Sequence, residues 1–172
     1  VIGAVAGVGS ARADSSHLKP FFGTYVGESL MPSVEMLPRD LRVSIRPAGE
    51  DGFVVEWQTT LFKFGETQRR NSQFLEFRPN KDGRPMYRAV PPDAAAATGA
   101  SESALDGGSL AWAHVQGRVM RVHLLSFLED GGYVLQSYDR TLTGAGMSLS
   151  FTRVRDGTVE QRLRAELRRV DG

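Results

Sequence analysis

Three alternating runs joined by two glycine-rich connections occupy residues 118–154, and they constrain the fold more than any other feature. The runs read RVMRVHLLSF, YVLQSYDRTL and MSLSFTRV, and the connections read LEDGG and TGAG. Short runs with a period of two and glycine between them are typical of antiparallel strands joined in hairpins. Residues 41–46 and 53–60 alternate in the same way around a turn at 47–52. The sequence therefore predicts an all-β chain that folds as an antiparallel up-and-down meander.

A meander of eight to ten strands removes its exposed edges by closing into a barrel. With 172 residues, the chain has the length of one domain that buries about 70% of its unfolded surface. Residues 14–20 (DSSHLKP) begin with side chains that favour a helix N-cap and end in proline. We therefore expect a short helical turn followed by a single barrel, with the domain spanning 14–172.

The positions of the turns set the expected strand register after residue 109. Two-residue turns are expected at 116–117, 130–131 and 144–145. The resulting cross-strand pairs are Trp112 with Arg121, His123 with Tyr138, Arg121 with Arg140, and Tyr138 with Phe151. One face of the sheet then carries aromatic and basic side chains, and we expect this face to point inward.

The opposite face of the 109–128 hairpin conflicts with that assignment. It carries Met120, Val122 and Leu124, which are too apolar for a surface in contact with water. Either the 91–107 segment or a second subunit covers these residues, or the two faces are reversed. With the faces reversed, serine, threonine and aspartate side chains of 137–152 would line a small polar cavity.

The last segment, 159–170, fits two secondary structures. As a helix it has a capping-box pattern at Thr158 and Gln161 and an apolar stripe. As a strand it alternates Leu163, Ala165 and Leu167 with charged residues. We favour the strand, because a three-residue turn with a glycine bulge at Gly157 would put Leu163 beside Leu149.

The N-terminal residues suggest a location. Positions 1–8 (VIGAVAGV) are small and apolar, and Ala11-Arg12-Ala13 follows them. This pattern is typical of the end of a secretory signal, so 1–13 is expected to be a residual signal segment with cleavage after Ala13. The alternative is the N-terminus of a cytoplasmic protein. No later run reaches the roughly 20 apolar residues of a membrane-spanning helix, so we expect a periplasmic or secreted protein without stable membrane insertion.

Composition argues against several functions. The chain contains no cysteine, which excludes disulfides, thiolate nucleophiles and cysteine-bound metals. Its net charge of +1 gives no reason to expect binding to nucleic acid. No nucleophile-elbow or phosphate-loop sequence occurs, and His114 and His123 lack a nearby acidic cluster for a metal site. We therefore predict no catalytic residue, no metal and no cofactor.

The first strand resembles that of a known group of barrels. Phe22-Gly23-Thr24-Tyr25 is similar to the Gly-x-Trp strand that begins lipocalins and their calycin relatives, with tyrosine in place of tryptophan. The resemblance implies a ligand-binding barrel. It also implies that an arginine from a late strand packs over the Tyr25 ring, and Arg153, Arg162 or Arg164 is expected to do so.

The inward-facing basic cluster suggests what such a barrel would bind. The predicted ligand-binding residues are Trp57, Trp112, Arg121, His123, Tyr138, Arg140 and Phe151. Buried arginines need a counter-charge, which a carboxylate or phosphate of a ligand would supply. The arrangement resembles that of intracellular fatty-acid-binding proteins. In the alternative arrangement, Arg121 and Arg140 lie at the barrel ends or outside and pair with acidic residues.

Three functions follow from these expectations. The first is non-catalytic binding of a small, amphipathic and anionic lipophilic ligand, with 91–107 as a mobile lid. The second is an envelope interaction or assembly module, which could be a homodimer, whose barrel core is solid. The third is a haem-binding barrel or an enzyme that uses His123 in the cavity.

Overall fold

A computed structural model of the chain describes residues 15–29, 39–63, 66–80, 85–90 and 109–170. The expected signal segment 1–13, its cleavage after Ala13 and the expected lid at 91–107 lie outside these residues. The chain begins with a short 3-10 helix, Ser15–Phe21, and continues in ten strands. The helical turn expected before the first strand is therefore confirmed.

The ten strands form one closed antiparallel barrel, as the sequence predicted. Their bounds are β1 Gly23–Ser29, β2 Arg39–Ala48, β3 Gly52–Lys63, β4 Glu66–Pro79, β5 Met86–Val90, β6 Ser109–Gln116, β7 Val119–Phe127, β8 Tyr133–Leu142, β9 Gly146–Arg155 and β10 Thr158–Arg169. Each strand pairs with its neighbours in sequence, and β1 pairs with β10 to close the barrel. The last segment is a strand and not a helix, as we favoured.

The 3-10 helix covers one end of the barrel. Its apolar side chains Leu18 and Phe21 are fully buried in the core. The Tyr25 hydroxyl donates a hydrogen bond to the backbone oxygen of Phe21 at 2.9 Å, and His17 Nε2 lies 2.8 Å from the Tyr87 hydroxyl. These contacts hold the helix across the end where β1 begins. A cavity lies at the opposite end.

The register between β7 and β8 differs from the expected one by a single residue. The connection is not a two-residue turn, because Phe127 pairs with Tyr133 and leaves five residues, 128–132, between the strands. Leu128 N donates to Gly132 O at 2.8 Å, and Gly131 adopts a φ of 84° that favours glycine. His123 therefore pairs with Ser137, and the expected pairing with Tyr138 is wrong.

A slip of one residue exchanges the two faces of a strand, because the side-chain period is two. Met120 and Val122 are fully buried inside the barrel, beside Arg140 and Tyr138. The apolar face that we expected outside β6 and β7 is thus the core face. The apolar side chains of β7 that conflicted with the expected faces are thus core residues. They no longer give a reason to expect a second subunit that covers them.

Two further turns refine the expected register. Between β6 and β7 the turn lies at Gly117-Arg118, so Trp112 pairs with His123 and not with Arg121. Between β9 and β10 the turn Asp156-Gly157 has two residues, both with positive φ (46° and 83°), which is typical of a type I′ hairpin. The expected three-residue turn there is wrong.

A β-bulge restores the core face of β10. The register shifts between Val159 and Gln161, one residue into the strand. This shift places Leu163 opposite Phe151 and Ala165 opposite Leu149, with both β10 residues buried. The expected bulge exists, but it lies within β10 and not at Gly157. Leu163 therefore pairs with Phe151, two residues from its expected neighbour Leu149.

A late arginine does pack over Tyr25, as the resemblance to calycins implied. The residue is Arg169, near the end of β10, which pairs with Tyr25 across the closing seam of the barrel. Its guanidinium carbon lies 5.8 Å from the centre of the Tyr25 ring, and Nη2 donates to the backbone oxygen of Phe22. The expected candidates Arg153, Arg162 and Arg164 lie elsewhere on β9 and β10.

Candidate functional site

The end of the barrel opposite the 3-10 helix contains a cavity of about 350 Å³. Strands β2–β4 form one wall and β8–β10 form the other. Strand pairing places the inward side chains of the second wall in three levels. From the mouth inward, these levels are Gln136, Arg153 and Gln161, then Tyr138, Phe151 and Leu163, then Arg140, Leu149 and Ala165.

Arg140 is the deepest polar side chain of this cavity. It is 0% exposed, and its Nε and Nη1 atoms are buried without a hydrogen-bond partner. No carboxylate of the described residues forms an ion pair with it. The neighbouring Asp139 points to the outer face and pairs with Arg121 at 3.3 Å. Arg140 is therefore a buried cation whose donors have no partner within the described part of the chain.

Two aromatic rings lie beside the Arg140 guanidinium. Its central carbon lies 5.6 Å from the Trp57 ring centre and 5.2 Å from that of Tyr138. Such cation–π contacts contribute about 0.5–2 kcal/mol, whereas a buried charge without a counter-ion costs several kcal/mol. The rings therefore offset only part of the cost of burying Arg140.

Burial lowers the pKa of Arg140 to about 10, against smaller opposing effects of Tyr138 and Asp139. A pKa in that range leaves the side chain protonated at neutral pH. The cavity thus contains a permanent positive charge whose desolvation is only partly compensated. A negative charge at the floor of the cavity would compensate it.

Tyr138 and Phe151 of the middle level form an aromatic cluster with Trp57 from the opposite wall. The Tyr138 ring centre lies 5.3 Å from that of Trp57 and 4.8 Å from that of Phe151. The Tyr138 hydroxyl donates to Gln136 Oε1 at 3.1 Å, which fixes the ring. Burial raises the pKa of Tyr138, although the nearby charge of Arg140 lowers it in part. The rings, which are tilted by 42° to 48° to one another, give an apolar surface beside the cation.

Polar side chains without acids surround the mouth. The inward-facing amides, which we call the lining amides, are Asn71, Gln73, Gln136 and Gln161. Arg42, Arg69 and Arg153 also line the cavity, and none of the lining residues is an aspartate or glutamate. Glu160 lies just outside, where its carboxylate accepts a hydrogen bond from Arg153 Nε at 2.9 Å and pairs with Arg155.

Four of the seven predicted site residues meet in this cavity. They are Trp57, Tyr138, Arg140 and Phe151. In the β8–β9 register Tyr138 pairs with Phe151, as expected, and Arg140 pairs with Leu149, whereas Trp57 enters the cavity from β3.

The other three predicted residues lie together on the outer face, owing to the one-residue slip at the β7–β8 loop. Trp112 stacks on His123 with ring centres 5.0 Å apart, and His123 Nδ1 lies 2.9 Å from Ser137 Oγ. Arg121 pairs with Asp139. The expected grouping of all seven side chains on one face is therefore wrong. A haem or acid–base role for His123 inside the cavity loses its geometric basis.

Sequence reasoning missed the lining amides and the lining role of Arg153. A signal was present in β4, where Arg69, Asn71 and Gln73 share the period-two face of Leu75 and Phe77. This mixture looks like a solvated strand until the register with β3 is known. Trp57 pairs with Gln73, which shows that the polar residues continue the inner face.

Two features, a metal-binding cluster and a membrane-spanning helix, are absent from the described residues. No group of three or more histidine, aspartate or glutamate side chains is arranged to hold a metal ion in that part of the chain. Among the same residues, no helix has both the length and the apolar character to cross a membrane.

The fold is similar to a solved structure, that of Rv2717c from M. tuberculosis. The match has a TM-score of 0.51 and covers 90% of this chain and 95% of that chain, at 17% sequence identity. A likeness at this level of identity concerns the fold alone. No protein-family model matches the sequence, and no match is found among curated proteins.

Proposed function

We propose that the protein is a periplasmic or secreted, non-catalytic binding protein for a small amphipathic anion. The observation that carries this proposal is the buried Arg140 with its unpartnered Nε and Nη1 atoms, at the floor of a cavity of about 350 Å³. That volume lies at the small end of the range for ligand pockets. An anionic ligand group would give Arg140 the partner that the chain does not supply.

The walls support the amphipathic character of the ligand. Above the cation, the rings of Trp57, Tyr138 and Phe151 and the side chains of Leu149 and Leu163 offer apolar contact. An inorganic anion would use only the floor and would leave this surface wet. A carboxylate joined to an apolar group uses both, and the charge-assisted hydrogen bonds it forms with arginine are the strong kind.

The location rests on the small apolar segment 1–8 and the Ala-x-Ala pattern that ends at Ala13. A binding role without chemistry is supported by the position of His123. It lies on the outer face beside Trp112, so the cavity lining of described residues contains neither a histidine nor a carboxylate for proton transfer.

Calorimetric titration of the full chain with 2-naphthoate and dodecanoate tests the proposal, with neutral 2-naphthamide as the uncharged analogue. We expect at least one acid to bind and the amide to bind at least tenfold more weakly. Arg140→Met should lose the preference for the acid, and Arg121→Met, the same substitution on the outer face, should keep it. Absence of binding by folded wild-type protein, together with no small anion in a solvent extract of the purified protein, would contradict the proposal.

A further inference from the structure

The depth of the cavity limits the length of a ligand that reaches Arg140. Gln136 lies four positions from Arg140 along β8, which is about 13 Å at the usual rise of a strand and an upper limit on the depth, because barrel strands are tilted. The extended chain of hexadecanoate is longer than this depth. With its carboxylate on Arg140, the far end of such a chain would extend past the described walls of the cavity.

The volume gives the same limit. A space of about 350 Å³ holds about 15 non-hydrogen atoms at the packing density of protein interiors. This is the size of a two-ring aromatic acid or of a medium-length fatty acid. A long-chain lipid does not fit within the described walls.

The polarity of the three levels favours a two-ring aromatic acid over a medium-length fatty acid. The rings of Trp57, Tyr138 and Phe151 contact one another, with centres 4.8 to 5.3 Å apart, and all three line the cavity, where their surfaces suit offset contact with another planar ring. The mouth level is polar and carries Gln136, Arg153 and Gln161. An alkyl chain would end among amides that it cannot satisfy, whereas a ring with a hydroxyl group at its far end would offer them a partner.

Asn71 and Gln161 are available for this contact. Neither side chain forms a hydrogen bond with another described residue, and both line the cavity on opposite walls. Arg153 at the same level is already held by Glu160 at 2.9 Å, which leaves Arg140 as the fully buried cation. Arg42 and Arg69 also line the cavity, but both are exposed to solvent, which screens their charge. The buried charge of Arg140 at the floor and the amides at the mouth therefore match an acidic group at one end of a ligand and a neutral polar group at the other.

Resting on the proposed binding function, we infer that the ligand is a compact aromatic monocarboxylate that carries a neutral hydrogen-bonding group at the end opposite its acid. The carboxylate pairs with Arg140, and the ring lies against Trp57, Tyr138 and Phe151. The polar substituent contacts the lining amides at the mouth. A long-chain fatty acid is disfavoured, because it is longer than the described walls and its apolar chain would pass the polar mouth.

The test compares 6-hydroxy-2-naphthoate, 2-naphthoate and dodecanoate by calorimetry with the full chain. The first and the last have the same number of non-hydrogen atoms, so the comparison is matched for size. We expect 6-hydroxy-2-naphthoate to bind about tenfold more tightly than dodecanoate. Its advantage over 2-naphthoate should be about fivefold, as for one neutral hydrogen bond, and should vanish in the double variant Asn71→Leu, Gln161→Leu.

A fluorescence measurement locates the bound ring. The sequence contains two tryptophans, so Trp112→Phe leaves Trp57 as the only one, and its emission should be quenched by either naphthoate. Dodecanoate binding as tightly as 6-hydroxy-2-naphthoate, with dependence on Arg140, would overturn this inference and leave the proposed function intact. No binding of any of the three acids by the folded chain would overturn both.

Discussion

Replacing Arg140 by methionine should stabilise the protein while it abolishes anion binding. The side chain is 0% exposed, and burial lowers its pKa to about 10, a change that corresponds to roughly 3 kcal/mol against the charged form. Cation–π contact with Trp57 and Tyr138 returns about 1 kcal/mol of that cost. Methionine has similar length, keeps the apolar contacts and needs no partner, so we expect a gain of about 2 kcal/mol.

Urea unfolding at pH 5, 7 and 9 measures this gain. The folded-state pKa of Arg140 lies below the unfolded one, so the destabilisation is fully present below pH 10 and declines only as the pH rises above that value. The gain from Arg140→Met should therefore be the same at all three pH values. In thermal unfolding it should raise Tm by about 6 °C for a chain of this size.

Arg121→Met is the matched control, because Arg121 lies on the neighbouring strand but points outward to Asp139. An exposed pair of this kind contributes little, so its loss should change stability by less than about 1 kcal/mol. A loss of stability in Arg140→Met greater than in Arg121→Met would be the opposite of the expected result. It would mean that the guanidinium has a stabilising partner in the unliganded protein.

Three other predictions concern the frame around the site. Gly27→Ala should destabilise the barrel by about 1–3 kcal/mol in urea unfolding, because the added Cβ would overlap the backbone oxygen of Glu166 on β10. An unchanged urea midpoint would contradict the close approach of β1 and β10. Tyr25→Phe should lower the free energy of unfolding by about 1 kcal/mol, since it removes the buried hydrogen bond to Phe21 O but keeps the ring under Arg169. If Tyr25→Phe destabilised the protein as much as Tyr25→Ala, the hydroxyl and not the ring would make the larger contribution. An NMR titration should give His123 a pKa below the ordinary histidine value, because burial lowers it more than the charge of Asp139 raises it. The contribution of neutral His123 to stability is then lost as the pH falls through that lowered pKa. A pKa above the ordinary value would mean that the charge of Asp139 outweighs burial.

The architecture could be predicted from the sequence because it depends on local signals. Alternation of period two identifies strands, and glycine marks the turns, so the meander and its closure follow from short segments. The pairing of Tyr138 with Phe151 was also correct, since the turn between β8 and β9 has the expected position.

The assignment of faces failed where loop length decides it. The sequence LEDGG admits a two-residue turn at Asp130-Gly131 or the five-residue loop that the structure contains. The two choices differ by one residue in register and therefore send Arg121 to opposite faces. Arginine is compatible with either face in sequence terms, so composition could not distinguish Arg121 from Arg140. The buried Met120 and Val122 were the better guide, because apolar side chains determine which face is the core.

The contact between Tyr25 and Arg169 shows a second limit. These residues are far apart in sequence and meet only because β1 pairs with β10 at the closing seam. No turn connects those strands, so no local signal sets their register. The family resemblance indicated that an arginine would be present, but several arginines of β9 and β10 were equally suitable candidates by sequence.

Anion binding by the unpartnered nitrogens of Arg140 can be observed through the arginine Nε–Hε signals in a proton–nitrogen NMR spectrum. The Arg140 signal is identified as the one missing from the spectrum of Arg140→Met. On addition of 2-naphthoate, we expect a downfield shift of this signal and slower hydrogen exchange, with the signal of Arg121 unchanged. An Arg140 signal that does not move when the acid binds, or that moves equally with neutral 2-naphthamide, would show that the guanidinium does not bind the anion.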